Sequence, residues 1–258
     1  MPMIIKAEYR HHDEIFQFCK DKILGTKVMG LLECYAFNYD FFSLMLSYDE
    51  YGMLKAVMSC FDGNITLVAD DDCDFCEISE YLNFTAYKSV TTEIKTAEFL
   101  KFTDYQTKTA YKFSDYNGTF YEAQNADEND YEAVYALISE NIPGSFSNKR
   151  DAYLNWLSDF TFRKVRNAAR LKCIKKDQKI FSCALTSSEC NFSAIISGVA
   201  SDSTHRSKGA GKSVVLSLAY ELKNENKDVY VIALNDSAKS FYEHIGFEKH
   251  CVLAISER

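Results

Sequence analysis

Hydrophobic and polar positions repeat most regularly in the second half of this chain, where the period alternates between that of strands and that of helices. Residues 119–124 read as a first strand. Residues 127–140 carry Val134, Leu137 and Ile138 on one helical side, with Asp127, Glu128 and Asp130 near the start, where the helix dipole favours acids. Asn141-Ile142-Pro143-Gly144 ends that helix, and residues 148–162 form a second one with Tyr153, Leu154, Trp156 and Leu157 as its apolar bulk. Residues 168–175 and 179–186 read as two strands joined at Asp177-Gln178. Residues 191–200 are nearly all apolar, the mark of a central strand. A helix over 209–224 leads to a buried strand over 229–233, parallel to its predecessor when the helix crosses over. A short helix over 237–244 and a closing strand over 248–255 complete the order. That last strand is also a candidate for pairing across a homodimer.

The first half is less regular. Residues 13–22 look helical, and the aromatic-rich 39–48 suits a helix or a strand. Residues 55–61 and 64–69 read as a hairpin around Asp62-Gly63. A helix over 73–82 and a strand over 86–93 follow. This is an abridged version of the later order. The turn Tyr116-Asn117-Gly118 divides the chain into an accessory α/β domain, 1–116, and a second domain, 117–258.

Bulk properties narrow the classes. The chain has 258 residues, 47% of them hydrophobic, enough for a sizeable core in one large domain or two ordinary ones. A formal net charge of −8 disfavours nucleic acid as a partner. The apolar stretches are too short for a membrane span, and the N-terminus turns charged too early for a signal peptide. Nine irregularly spaced cysteines read as reduced thiols in a cytoplasmic protein. Cys73 and Cys76 form one C-x-x-C pair without a second, and adjacent His11 and His12 are a solvent-facing pair, so no metal is expected. The basic tract Arg163, Lys164, Arg166, Arg170, Lys172, Lys175, Lys176 and Lys179 reads as a solvated face or as an attractor for an acidic ligand.

The most informative run spans Ile195 to Ala219, where a buried strand meets a polar turn, a glycine elbow and a helix. Arg206, Gly209 and Gly211 stand as R-x-x-G-x-G. First-turn amides have no internal partner and the dipole favours anions, so the elbow suits a phosphate or pyrophosphate. Gly209 to Ser213, G-A-G-K-S, resembles the end of a P-loop, but a P-loop needs glycine where Arg206 stands. The segment from Val199 to Lys212 instead resembles the acyl-CoA motif of the GNAT superfamily of N-acyltransferases. A second family motif follows in L-N-D-S-A-K-S-F-Y-E-H-I-G-F, Leu234 to Phe247, with Asn235, Ala238, Tyr242, Gly246 and Phe247 at matching places.

The resemblance implies a mixed α/β, GNAT-like fold with a central mixed sheet flanked by helices, and a degenerate GNAT-like first half. It implies acetyl transfer from acetyl-CoA to a primary amine, on a small molecule or peptide, by direct attack in a ternary complex. The donor's pyrophosphate would lie on Arg206, Ser207, Lys208, Gly209, Ala210, Gly211 and Lys212, its pantetheine arm along Val199 to Ser201 and on Asn235. Tyr242 would be the general acid at the CoA sulfur; packing is its other reading. Asn235 is equally a helix cap. No carboxylate lies on the strand before the elbow. Glu189, Asp202 and His205 are the candidate bases through water, and Ser203 replaces a proline common in the family's turn. Pro143, Gly144, Ser145 and Phe146 fall where the acceptor pocket is expected. A non-catalytic acyl-CoA-binding module is the alternative reading.

Overall fold

The computed structural model describes residues 3–37, 39–142, 147, 149–176, 179–205 and 208–258. They form two compact units. The first comprises Met1–Tyr111, Ala233–Lys239 and Lys249–Arg258, the second Lys112–Ile232 and Ser240–Glu248.

The first half runs β1 (Met3–Lys6), α1 (His12–Cys19), α2 (Ile23–Tyr35), β2 (Phe42–Tyr48), β3 (Leu54–Phe61), β4 (Asn64–Ala69), α3 (Phe75–Phe84), β5 (Ser89–Glu93), α4 (Ile94–Phe99) and β6 (Gln106–Phe113). The second runs β7 (Gln124–Asn125), α5 (Tyr131–Asn141), α6 (Arg150–Lys164), β8 (Leu171–Lys176), β9 (Lys179–Glu189), β10 (Ser193–Ser201), α7 (Ala210–Asn224), β11 (Asp228–Ala233), α8 (Asp236–His244) and β12 (Phe247–Glu257). The two orders match element for element, so the first half is a full counterpart rather than an abridged one.

In the first unit the strand order is β1-β2-β3-β4-β5-β12-β6. The β3–β4 hairpin turns at Asp62 and Gly63, at φ 47° and 77°, a two-residue turn with both centres left-handed. β4 and β5 are parallel, but their ladder stops at Thr66 opposite Thr91. β5 then pairs antiparallel with β12, Leu253 opposite Glu93 through Glu257 opposite Ser89. The core under α3 gathers Ala56, Met58, Ile65, Leu67, Ile78, Leu82 and Val90. The aromatic stretch before the hairpin resolves as the strand β2. α2, absent from the sequence-based order, is buried nearly all round, so it shows no polar stripe to betray its period.

In the second unit the order is β11-β10-β9-β8-β7. β10 is interior, antiparallel to β9 and parallel to β11, as its apolar run predicts. Val134, Leu137 and Ile138 of α5 and Phe160 of α6 pack on Leu171, Cys173, Cys183, Leu185 and Ala200. The strand expected over 119–124 is not formed; only Gln124 and Asn125 pair, with β8. Residues 114–123 instead strap α7. Tyr220 donates to Asp115 at 2.8 Å, and Phe120 stacks on the Tyr220 ring. The amides of Tyr121 and Ala123 donate to the hydroxyls of Ser213 and Ser217, at 3.3 and 2.8 Å. Those amides have found side-chain acceptors on a helix, and alternation alone cannot distinguish that from a ladder.

Candidate active site

β10 changes character halfway along. Its ladder with β11 runs only from Ser193 to Ile196. On the β9 side, Ser197 faces Leu185 and Ala200 faces Cys183, so three steps on β10 oppose two on β9. The extra residue is a bulge at Gly198, whose φ is +57°. A Cβ there would stand 3.1 Å from Ile138 and from Leu185, so both backbone and packing call for glycine. Beyond Ile196 the strand therefore parts from β11 while its pairing with β9 resumes after the bulge, at Ala200 and Ser201. The half-buried Val199 and Ser201 lie on this parted stretch.

Ser201 ends the strand beside the mouth of α7. Its hydroxyl is 2.9 Å from that of Ser182, which also donates to the Ala200 carbonyl at 3.0 Å. A Cβ on Gly211 would come within 3.2 Å of the Ser201 Oγ and 3.9 Å of the Phe241 ring. Gly209 is the N-cap of α7, at φ +83°, with open space where its side chain would be. Among the described residues no side chain caps α7, and Gly209 at the cap has none to offer its first-turn amides. Ala210 is buried. The Lys208 ammonium donates to the Thr204 carbonyl at 3.2 Å. Lys212 reaches back to the strap, to Thr119 at 2.7 Å and the Tyr116 hydroxyl at 3.2 Å. Arg206 and Ser207 lie outside the described residues, as do the expected acceptor-pocket residues Pro143, Gly144, Ser145 and Phe146 and the side chain of His205.

Tyr242 projects from α8 into an aromatic setting, its ring 5.3 Å from Phe241 and 5.7 Å from Phe247. It is 7% exposed, and burial pushes its phenol up to about 12, so it holds its proton at neutral pH. Asn235 accepts from the Ala238 amide at 2.9 Å, the cap foreseen for α8.

Two of the three candidate bases are committed elsewhere. Glu189 is fully buried at the end of β9, with Arg170 at 2.8 Å and Lys227 at 2.7 Å. Asp202 accepts from the Thr204 hydroxyl and amide and pairs with Lys179; these hold its carboxyl well below the usual range, making it a weak base. Part of the basic tract is likewise spent within the fold. Arg163 pairs with Asp159, Lys172 with Glu221 and Lys175 with Asp130, while Arg170 holds Glu189, Glu221 and Glu225. Its remaining members, Lys164, Arg166, Lys176 and Lys179, are exposed, so the tract is in part a solvated face. His11 accepts from the Glu8 amide and His12 pairs with Asp13. Among the described residues no group of three or more His, Cys, Asp or Glu side chains is placed to hold a metal ion. No helix of the described residues is long and apolar enough to cross a membrane.

Three residues of the site were not singled out in the sequence. Gly198 had a signal, a glycine inside an apolar strand. Ser182 and Phe241 had none, because their roles depend on what the fold brings beside them.

This arrangement, a parted and bulged strand feeding an uncapped helix mouth, belongs to the GNAT acetyltransferase fold. Residues 184–254 match the family model described as FR47-like protein. Across its whole length the chain resembles an acetyltransferase of the GNAT family from Colwellia psychrerythraea, at 12% identity and a TM-score of 0.61, covering 99% of this chain and 100% of that one. A tandem GNAT protein from the clavulanic acid biosynthesis pathway matches at 11% identity and a TM-score of 0.63, covering 100% and 98%. A GCN5-related N-acetyltransferase from Sphaerobacter thermophilus matches at 11% and 0.63, covering 99% and 95%. No curated protein matches by sequence. At such identities the likeness establishes the fold, which supports acyl transfer in general.

Proposed function

We propose that the chain is an N-acyltransferase that moves an acetyl group from acetyl-CoA to a primary amine by direct attack in a ternary complex. The observation that carries this reading is the parting of β10 from β11 at the Gly198 bulge, directly before the uncapped mouth of α7. A pantetheine arm needs backbone groups free of a ladder, and a pyrophosphate needs amides free of a cap; this stretch supplies both. Val199 and Ser201 would line the arm. Arg206, Ser207, Lys208, Gly209, Ala210, Gly211 and Lys212 would hold the phosphates, and Asn235 would be a contact of the arm. An amide freed by the bulge would steady the oxygen of the thioester carbonyl as the amine nitrogen attacks it. Collapse breaks the C–S bond, and the phenol of Tyr242 would donate a hydrogen bond to the departing sulfur. With Glu189 and Asp202 committed, the amine would arrive neutral or lose its proton to water. Division of labour would follow 1–116 and 117–258, the former supporting the fold. The acceptor is a small molecule or peptide, in a cytoplasmic protein that needs no metal.

One observation favours a second reading, a non-catalytic acyl-CoA-binding module: the deep burial of Tyr242. Thiol release from acetyl-CoA across an amine panel decides between them. Turnover that falls about 100-fold in Tyr242→Phe, with CoA affinity kept within about twofold, marks the enzyme. Tight CoA binding without turnover on any amine marks the module.

A further inference from the structure

The first half repeats the order strand, helix, parallel strand that frames the candidate donor site in the second. β4 parts from β5 after Thr66 and Thr91, as β10 parts from β11, and a cleft of about 460 Å3 opens between Leu67, Val68 and Ala69 on one side and Thr92, Glu93 and Thr96 on the other. The Thr92 hydroxyl reaches across the gap and donates to the Leu67 carbonyl at 3.0 Å. The end that would take the phosphates is built differently.

Between β4 and α3 the chain reads Asp70-Asp71-Asp72-Cys73-Asp74, with no glycine to let a phosphate approach the backbone. Asp74 caps α3. Its carboxylate accepts from the amides of Cys76 and Glu77 at 3.0 and 3.1 Å, the donors an incoming phosphate would need. The three aspartates before it each hold a lysine. Asp70 pairs with Lys22 at 2.9 Å, Asp72 with Lys55 at 2.6 Å, and Asp71 with Lys95. The nearby cations are thereby spent, and each pair ties the loop to another element. Glu77 adds a further carboxylate to the first turn of α3, fixed by the Ile4 amide at 3.1 Å. A tethered carboxylate competes at high effective concentration for the amides it already holds, and its charge repels a free anion.

We infer that the chain holds one CoA site and not two, because the counterpart mouth in the first half is filled by the chain's own carboxylate. The inference rests on the donor reading of the second half. Titration of the full chain with free CoA by calorimetry tests it. The expected stoichiometry is one per chain in the wild type, at an affinity that falls about a hundredfold in Gly209→Asp, with Gly211→Asp as a second variant should the first fold poorly. Two sites per chain overturns the closure of the first half, and so does a site whose affinity neither substitution lowers. Absence of binding to the wild type overturns the donor reading of the second half, and the count of one with it.

Discussion

Gly209→Asp imposes on α7 the device that Asp74 already imposes on α3. Its two consequences separate. The position is left-handed, φ +83°, with nothing within 4 Å of a Cβ, so a side chain there meets backbone strain but no collision. Left-handed conformation costs an L-residue about 1–2 kcal/mol, and with a melting response of about 2–4 °C per kcal/mol for a chain this size the variant should melt about 2–8 °C lower. Binding suffers more. A carboxylate ~6 Å from one phosphate charge, at an effective dielectric of ~20, repels it by about 3 kcal/mol, or about a hundredfold in affinity. Differential scanning fluorimetry reads both effects. CoA at about 100 times its dissociation constant should stabilise the wild type by about 2.7 kcal/mol, raising its midpoint by about 5–11 °C. At the same concentration a hundredfold weaker variant gains about 0.4 kcal/mol, or about 1 °C. A variant that keeps more than half of the wild-type response refutes the assignment of α7's mouth to the phosphates.

Arg170→Met leaves the buried Glu189 to Lys227 and the Thr186 hydroxyl, Glu221 to Lys172 and Glu225 to Lys227; breaking such a cluster should cost about 3–5 kcal/mol, seen as a loss of about 6–20 °C in midpoint. The same cluster predicts an acid transition. Burial pulls the Glu221 carboxyl upward, but Lys172 and Arg170 outweigh it and hold it below its ordinary value, and Arg170 does the same for Glu225. Because the folded values lie below the unfolded one, this stabilisation is complete above about pH 4.3–4.5 and is lost as pH falls through the folded values. The midpoint should decline over that acid range, and less steeply in Arg170→Met. Gly246→Ala puts a Cβ 1.9 Å from the Asp115 carbonyl at a φ of +88°, so soluble yield should collapse or the chain lose more than about 4 kcal/mol in a urea titration.

Legibility in the sequence followed the contrast between buried and exposed faces. β10, α7 and β11 were readable because an apolar run, a glycine elbow and a stripe of Val214, Leu218 and Leu222 punctuate one another. α2 was not, since Gly25 and Gly30 lower its propensity and burial on nearly every side erases its stripe. Residues 119–123 alternate like a strand, yet their amides answer to serines 92 and 94 positions later, a partnership invisible to any local pattern. The elbow could be named from its glycine spacing, and Tyr242 from the resemblance of its segment to a family motif. That Glu189 is unavailable as a base could not, because its partners Arg170 and Lys227 come from separate elements and meet only in the fold.

The pairing of β12 with β5 bears on how the chain is made. The first unit gathers residues from both ends of the sequence: Ser89 to Glu93 wait for Leu253 to Glu257, and the Arg258 guanidinium closes on the Leu82 carbonyl 176 positions back. During synthesis the early strands must therefore stand with β5 incomplete until nearly all of this sequence has emerged. Such long-range closure slows folding and leaves an open strand edge exposed meanwhile. A ribosome-held chain lacking residues 247–258 should thus be the form most prone to aggregate and most in need of a chaperone.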